Sequence, residues 1–122
     1  MNNEIKILIA DSDETSCLLY EEYLQEQFNC VIVNDGQKAI DLIKSNSNIC
    51  LVITEIRLKL IDGFNLLKEI RKMKKNIPIF VHTSTVTEDV KKECLNIGFT
   101  EFIPKPFQYE NFYSLIIKYL PN

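Results

Sequence analysis

Short apolar runs alternate without a break with amphipathic segments along this chain, and that alternation limits the fold more than any other feature. The runs "EIKILIA" (4–10), "CVIV" (30–33), "ICLVIT" (49–54), "IPIFVH" (77–82) and "EFI" (101–103) have few polar interruptions. Strands of this kind belong in a sheet covered on both faces. Between them, apolar residues recur at helical spacing: Leu18, Leu19, Tyr23, Leu24 and Phe28, then Ala39, Ile40, Leu42 and Ile43, then Phe64, Leu66, Leu67 and Ile70. "TEDVKKECLNIG", closed by Gly98, and "YENFYSLIIKYL" complete the set. "DSDE" and Asp62 supply side-chain oxygens where the first and third helices should start. Five βα units in strict order predict an α/β fold, a doubly wound five-stranded parallel sheet with helices on both faces and right-handed crossovers.

In such a sheet, functional groups collect beyond the carboxyl ends of the strands. The residues leaving strands there are Asp11, Ser12 and Asp13, then Glu55, then Thr83 and Ser84, and finally Lys105. A nucleotide or flavin site would need a glycine-rich loop admitting phosphate to backbone N–H groups. Gly36, Gly63 and Gly98 form no such loop. A hydrolase would need a nucleophile with a base, and His82 has no serine or cysteine in a nucleophile-elbow sequence. A carboxylate, a hydroxyl and a lysine at one edge suit phosphoryl chemistry on a carboxylate, with a metal held by further acids.

The remaining features narrow the class. A length of 122 residues fits one domain, 1–122, and 14 basic against 17 acidic residues leave a net charge of −3. That balance argues against nucleic acid as a partner, which wants a concentrated basic surface. The basic run "RKMKK" falls at a helix end, where it complements the dipole. Cys17, Cys30, Cys50 and Cys94 show no metal-binding spacing and read as small core residues of a cytoplasmic protein. No apolar run reaches the ~18 residues of a membrane span, so no membrane association is expected.

Four segments, in order, resemble the receiver domain of two-component response regulators, the single-domain chemotaxis type included. "ILIADSDE" is similar to the family's first strand and acidic pocket, and "LVITEIRLKLIDGF" to its phosphoacceptor segment. "IPIFVHTS" carries the switch position at Thr83, and "GFTEFIPKPF" carries Phe102 and the Lys105-Pro106 pair. The resemblance spans the chain. It implies a flavodoxin-like (βα)5 sheet of order 2-1-3-4-5, a switch pair of Thr83 and Phe102, and a cis bond before Pro106. It also implies a protein partner, a histidine kinase or a downstream signalling protein, on the face of the fourth helix, fifth strand and fifth helix.

The chain departs from the family where the chemistry lies. Glu55 stands in place of the phosphoacceptor aspartate, and Ser12 in place of the second metal-binding acid; Asp13 occupies the next slot, which usually begins the helix. Glutamate carries its carboxylate ~1.5 Å further by one bond, and misplacement of about 1 Å can cost ~10²-fold in rate. Ser12 offers Mg²⁺ a neutral oxygen. A degenerate, pseudo-receiver site follows as the expectation: no catalytic residue, no cofactor, and at most weak Mg²⁺ at Asp11, Glu55 and the Arg57 backbone. Glu55 is then either a partial substitute for the phosphorylated state or an acid left over after activity was lost. The competing reading is a working phosphoacceptor that takes phosphate from a histidine kinase with Mg²⁺. If only the two altered positions silence the site, Ser12→Asp with Glu55→Asp should restore labelling by acetyl phosphate.

Overall fold

The computed structural model describes residues 4–121. Five strands, β1 (Ile7–Ala10), β2 (Cys30–Val33), β3 (Leu51–Thr54), β4 (Ile79–Thr83) and β5 (Glu101–Pro104), form one sheet in the order β2-β1-β3-β4-β5. Every pairing is parallel, as the βα alternation requires. The register sets the site: Ala10 lies opposite both Val33 and Thr54, so Asp11 and Glu55 leave adjacent strands at one level. Thr83 lies opposite Pro104, which puts Lys105 at the same edge.

The helices are α1 (residues 14–28), α2 (Gly36–Ser45), α3 (Gly63–Lys72), α4 (Glu88–Ile97) and α5 (Tyr109–Tyr119). Side chains of Asp13, Asp35, Asp62 and Thr87 accept the orphan N–H groups at the starts of the first four. Strand alternation divides the core. Leu8, Ala10, Val52 and Val81 pack against α2 to α4 through Ile40, Ile43, Leu66, Leu67, Ile70 and Cys94. Ile7, Ile9, Leu51, Ile53 and Phe80 pack against α1 and α5 through Tyr20, Leu24, Phe28, Phe112 and Ile116. All residues of β1, β3 and β4 are buried, which explains why their sequences are nearly free of charge.

Three sequence expectations need correction. The strands beginning at residues 4, 49 and 77 start later, at Ile7, Leu51 and Ile79. Pro78 has no N–H to give the ladder, although its carbonyl accepts from Val52 at 3.1 Å. The strand expected to end at His82 runs on to Thr83. In α1 the buried stripe is Ser16, Tyr20, Leu24 and Phe28, whereas Leu18 and Tyr23 are 65% and 41% exposed. A strict spacing of four would drift around a helix of 3.6 residues per turn. The wider π-helical turns over Glu21–Gln25 absorb that drift and keep the stripe on the sheet.

Candidate functional site

At the carboxyl edge, β1, β3 and β5 each contribute one charged side chain. Asp11 is fully buried: its Oδ1 accepts the Asp13 N–H at 3.0 Å, and its Oδ2 accepts from the Tyr20 hydroxyl and the Lys105 ammonium, both at 2.8 Å. Lys105 also reaches Glu55 Oε1 at 3.1 Å, while Glu55 Oε2 accepts the N–H of Ile56 at 2.6 Å. One ammonium therefore bridges two carboxylates, and each of the four carboxylate oxygens has a donor. Burial disfavours the Lys105 charge, yet its hydrogen bonds and attraction to Asp11 and Glu55 outweigh that and hold its pKa above the usual lysine value.

The segment between Glu55 and α3 is pinned from beneath. Gly63 donates to the Ile56 carbonyl at 2.8 Å, and a Cβ on Gly63 would stand 2.4 Å from the Glu55 carbonyl oxygen. The Asp62-Gly63 pair is thus required at this spacing: Asp62 starts the helix, and glycine lets the helix start lie against the strand end.

The other candidates are placed as follows. Ser12 is exposed beside the cluster. Asp13 lies 4.0 Å from Lys105, but its Oδ2 is engaged by the Ser16 N–H and hydroxyl at 3.0 and 2.7 Å. Those bonds, the hydroxyl's first, hold its carboxyl below the usual range. Thr83 is buried, and its Oγ1 accepts the Thr85 N–H at 3.2 Å; the side chain capping α4 is that of Thr87. Phe102 is half-buried against the α2–α4 side of the core. Ser84, Arg57 and Pro106 are exposed, and the Lys105-Pro106 bond is cis.

Two residues matter more than their sequence context suggests. His82, at the end of an apolar strand, is 3% exposed and lies with Nδ1 2.6 Å from the Tyr20 oxygen. Burial first, and the Lys105 charge second, hold its pKa down to about 3. Tyr20 carried no functional signal in the sequence, yet it joins His82 to Asp11. Burial and the Asp11 charge push its phenol pKa upward. Spacing of four from Ser16 and Leu24 was the one sign that it faces inward. A cavity of about 360 Å³ opens beside these groups, lined by Asp13, Tyr20, Glu55, His82, Lys105 and Phe107 among others.

This arrangement has relatives. The response regulator receiver domain family matches residues 7–117. The transcriptional regulatory protein RprY of Bacteroides fragilis is 31% identical over 113 residues, 90% of this chain and 47% of that protein. The transcriptional regulatory protein ZraR of Escherichia coli K12 is 26% identical over 122 residues, 99% of this chain and 27% of that protein. The chain therefore spans less than half the length of either relative. Among solved structures, the receiver domain of Francisella response regulator 1452 superposes with a TM-score of 0.82 at 25% identity, covering 95% of this chain and 97% of that one. Since the family match runs from the first strand into the last helix, this chain belongs to the response regulator receiver domains, the receiving modules of two-component systems.

Proposed function

We propose that this receiver signals without phosphorylation, by contact with a protein partner, its pocket held closed by Lys105 bound between Asp11 and Glu55. The observation carrying the proposal is that bridge, at 2.8 and 3.1 Å, with the other two carboxylate oxygens capped by backbone N–H groups and the Tyr20 hydroxyl added on Asp11 Oδ2. A phosphoacceptor needs a carboxylate oxygen free to attack phosphorus. Glu55 has one oxygen turned back on its own following N–H and the other on the lysine. As a stand-in for a phosphoryl group, Glu55 offers one negative charge against nearly two, so it reproduces the lysine contact and only part of the field.

The family implies Mg²⁺, and the residues present do not fit that ion. Mg²⁺ takes near-ideal octahedral oxygen ligands, usually with one or two carboxylates. Here both inner carboxylates are occupied by an ammonium, and the third oxygen at the edge belongs to neutral, exposed Ser12.

The partner surface we favour is that of α4, β5 and α5. Leu95, Ile97 and Ile117 are exposed there, and a cavity of about 390 Å³ is lined by Phe102, Pro104, Pro106, Asn111 and Leu115 among others. The partner would be a histidine kinase or a downstream signalling protein in the cytoplasm. Among the described residues, no helix is long and apolar enough to cross a membrane.

Incubation with acetyl phosphate and Mg²⁺, read by intact mass, tests the central point. We expect an unmodified mass. A phosphoryl adduct mapping to Glu55 would replace this reading with that of a working phosphoacceptor.

A further inference from the structure

Asp11 Oδ2 has two donors on it, and the second sets this pocket apart. The Tyr20 oxygen sits 2.8 Å from Asp11 Oδ2 and 2.6 Å from His82 Nδ1, all three groups buried. A phenol has one proton to give. Asp11, paired with an ammonium, accepts and does not donate, so the phenol proton points at Asp11. The proton in the Tyr20–His82 contact then comes from Nδ1, which makes His82 a neutral imidazole protonated on Nδ1. Its Nε2 is left a bare acceptor. Nε2 is buried with no hydrogen-bond partner among the described residues, and a bare lone pair is the less costly occupant of such a place than an N–H.

The ring packing fixes this chain of bonds. His82 stacks on Phe107 with centroids 5.7 Å apart and planes at 21°, and lies 5.2 Å from Phe112. The Tyr20 ring meets His82 and Phe107 edge-on at 5.7 and 6.2 Å. The phenol is thus held with its proton on the Asp11 oxygen that faces Lys105. A cation approaching that oxygen would meet the positive end of an O–H dipole as well as the ammonium.

We infer that Tyr20, oriented by His82, is a positioning residue that locks Asp11 onto Lys105. Admission of a divalent cation then requires breaking this bond in addition to restoring acids at positions 12 and 55. The inference rests on the phosphorylation-independent reading and deepens it. It also revises the sequence expectation that two substitutions suffice.

The first test needs no variant. Nitrogen-15 NMR of the unaltered chain at neutral pH should show His82 protonated on Nδ1; protonation on Nε2 would mean that Tyr20 donates to the histidine, and the lock is wrong. The second test titrates Mg²⁺ alone, followed by amide shifts of residues 11–13 and 55–56. Its proteins are Ser12→Asp/Glu55→Asp, the same with Tyr20→Phe, and the same with Tyr20→Phe and His82→Leu. Removing the hydroxyl should tighten Mg²⁺ by about tenfold or more, as expected for freeing a charged acceptor from one hydrogen bond. The fourfold variant removes both ends of the Tyr20–His82 contact, so it serves if the threefold one unfolds. Equal affinity with and without Tyr20 overturns the inference. Labelling of the unaltered chain by acetyl phosphate would instead refute the phosphorylation-independent reading, a separate outcome.

Discussion

Replacing Lys105 by methionine tests whether the central ion pair is the tightly held group its geometry indicates. Methionine retains much of the apolar stem and removes the ammonium. Left behind are the Asp11 side chain, 1% exposed, and Glu55, 13% exposed. Breaking a buried pair from one side costs ~3–5 kcal/mol, because the surviving charge has no water to turn to. Two details favour the lower end. Glu55 sits at the edge and can swing outward, and Asp11 keeps its bonds from the Asp13 N–H and the Tyr20 hydroxyl. We therefore expect a loss of about 3 kcal/mol, roughly a 10 °C fall in Tm for a chain of this size. Urea denaturation should show a lower midpoint with an unchanged slope, since the surface exposed on unfolding is the same. Combining Lys105→Met with Asp11→Asn should cost less than the sum of the single changes by ~2 kcal/mol, the signature of two groups in direct contact. A Lys105→Met loss below ~1 kcal/mol would place the pair with exposed ion pairs and refute the reasoning.

The same lysine predicts the alkaline limb of the stability curve. Its pKa is raised by folding, so its contribution is complete below the ordinary lysine value and is lost as pH rises through the folded value; Lys105→Met should lack that loss, and identical alkaline profiles would count against it. His82 predicts the acid limb, with the opposite sense. Its folded pKa of about 3 lies below the ordinary 6.5, so the unfolded chain binds the extra proton between those values and stability falls as pH drops. The slope should approach ~1.4 kcal/mol per pH unit, and His82→Leu should remove it; a matching slope in both proteins would show that His82 titrates normally. Gly63→Ala should lower the unfolding free energy by about 1–3 kcal/mol, read as a lower urea midpoint, because the new Cβ would meet the Glu55 carbonyl at 2.4 Å. An unshifted midpoint would mean that the start of α3 moves away from Glu55 without cost.

The sheet and its order were legible because the signals are local and repeated. Each strand is a short apolar run, each helix a 3.6-residue pattern, and parallel pairing follows from their alternation. The charged cluster was legible in part: Asp11, Glu55 and Lys105 are each the first charged residue beyond a strand, and parallel register brings such residues together. The inward face of α1 was misread because Leu18 and Tyr23 are the more conspicuous apolar residues, and the π-helical turns shift the phase of everything after Tyr20. Among the hydroxyls of "HTSTVT", the sequence did not show that Thr87 would cap α4 while Thr83 stays buried at the strand end. The Tyr20–His82 contact lay beyond sequence reasoning, since 62 positions separate the two and neither spacing nor composition relates them.

Decay and redesign of a phosphoacceptor pocket differ in what happens to the charges. A receiver that merely lost its aspartate would leave Lys105 and Asp11 paired and the third vertex empty. Here the third vertex is filled by a longer acid, and the extra bond of glutamate lets one carboxylate serve two donors, Lys105 on one oxygen and the Ile56 N–H on the other. In the reading we propose, each of three features lessens the need for metal: Ser12 brings no negative charge, Glu55 reaches the lysine unaided, and Tyr20 adds a second donor to the Asp11 oxygen that faces Lys105. An uncompensated buried charge would have cost several kcal/mol, a large fraction of the stability of a domain this size. The three residues follow β1, follow β3 and lie in α1, and they share no local sequence pattern, yet in that reading all three act on the same pocket. That convergence favours Glu55 as a built-in partner for Lys105 over an acid left behind by chance.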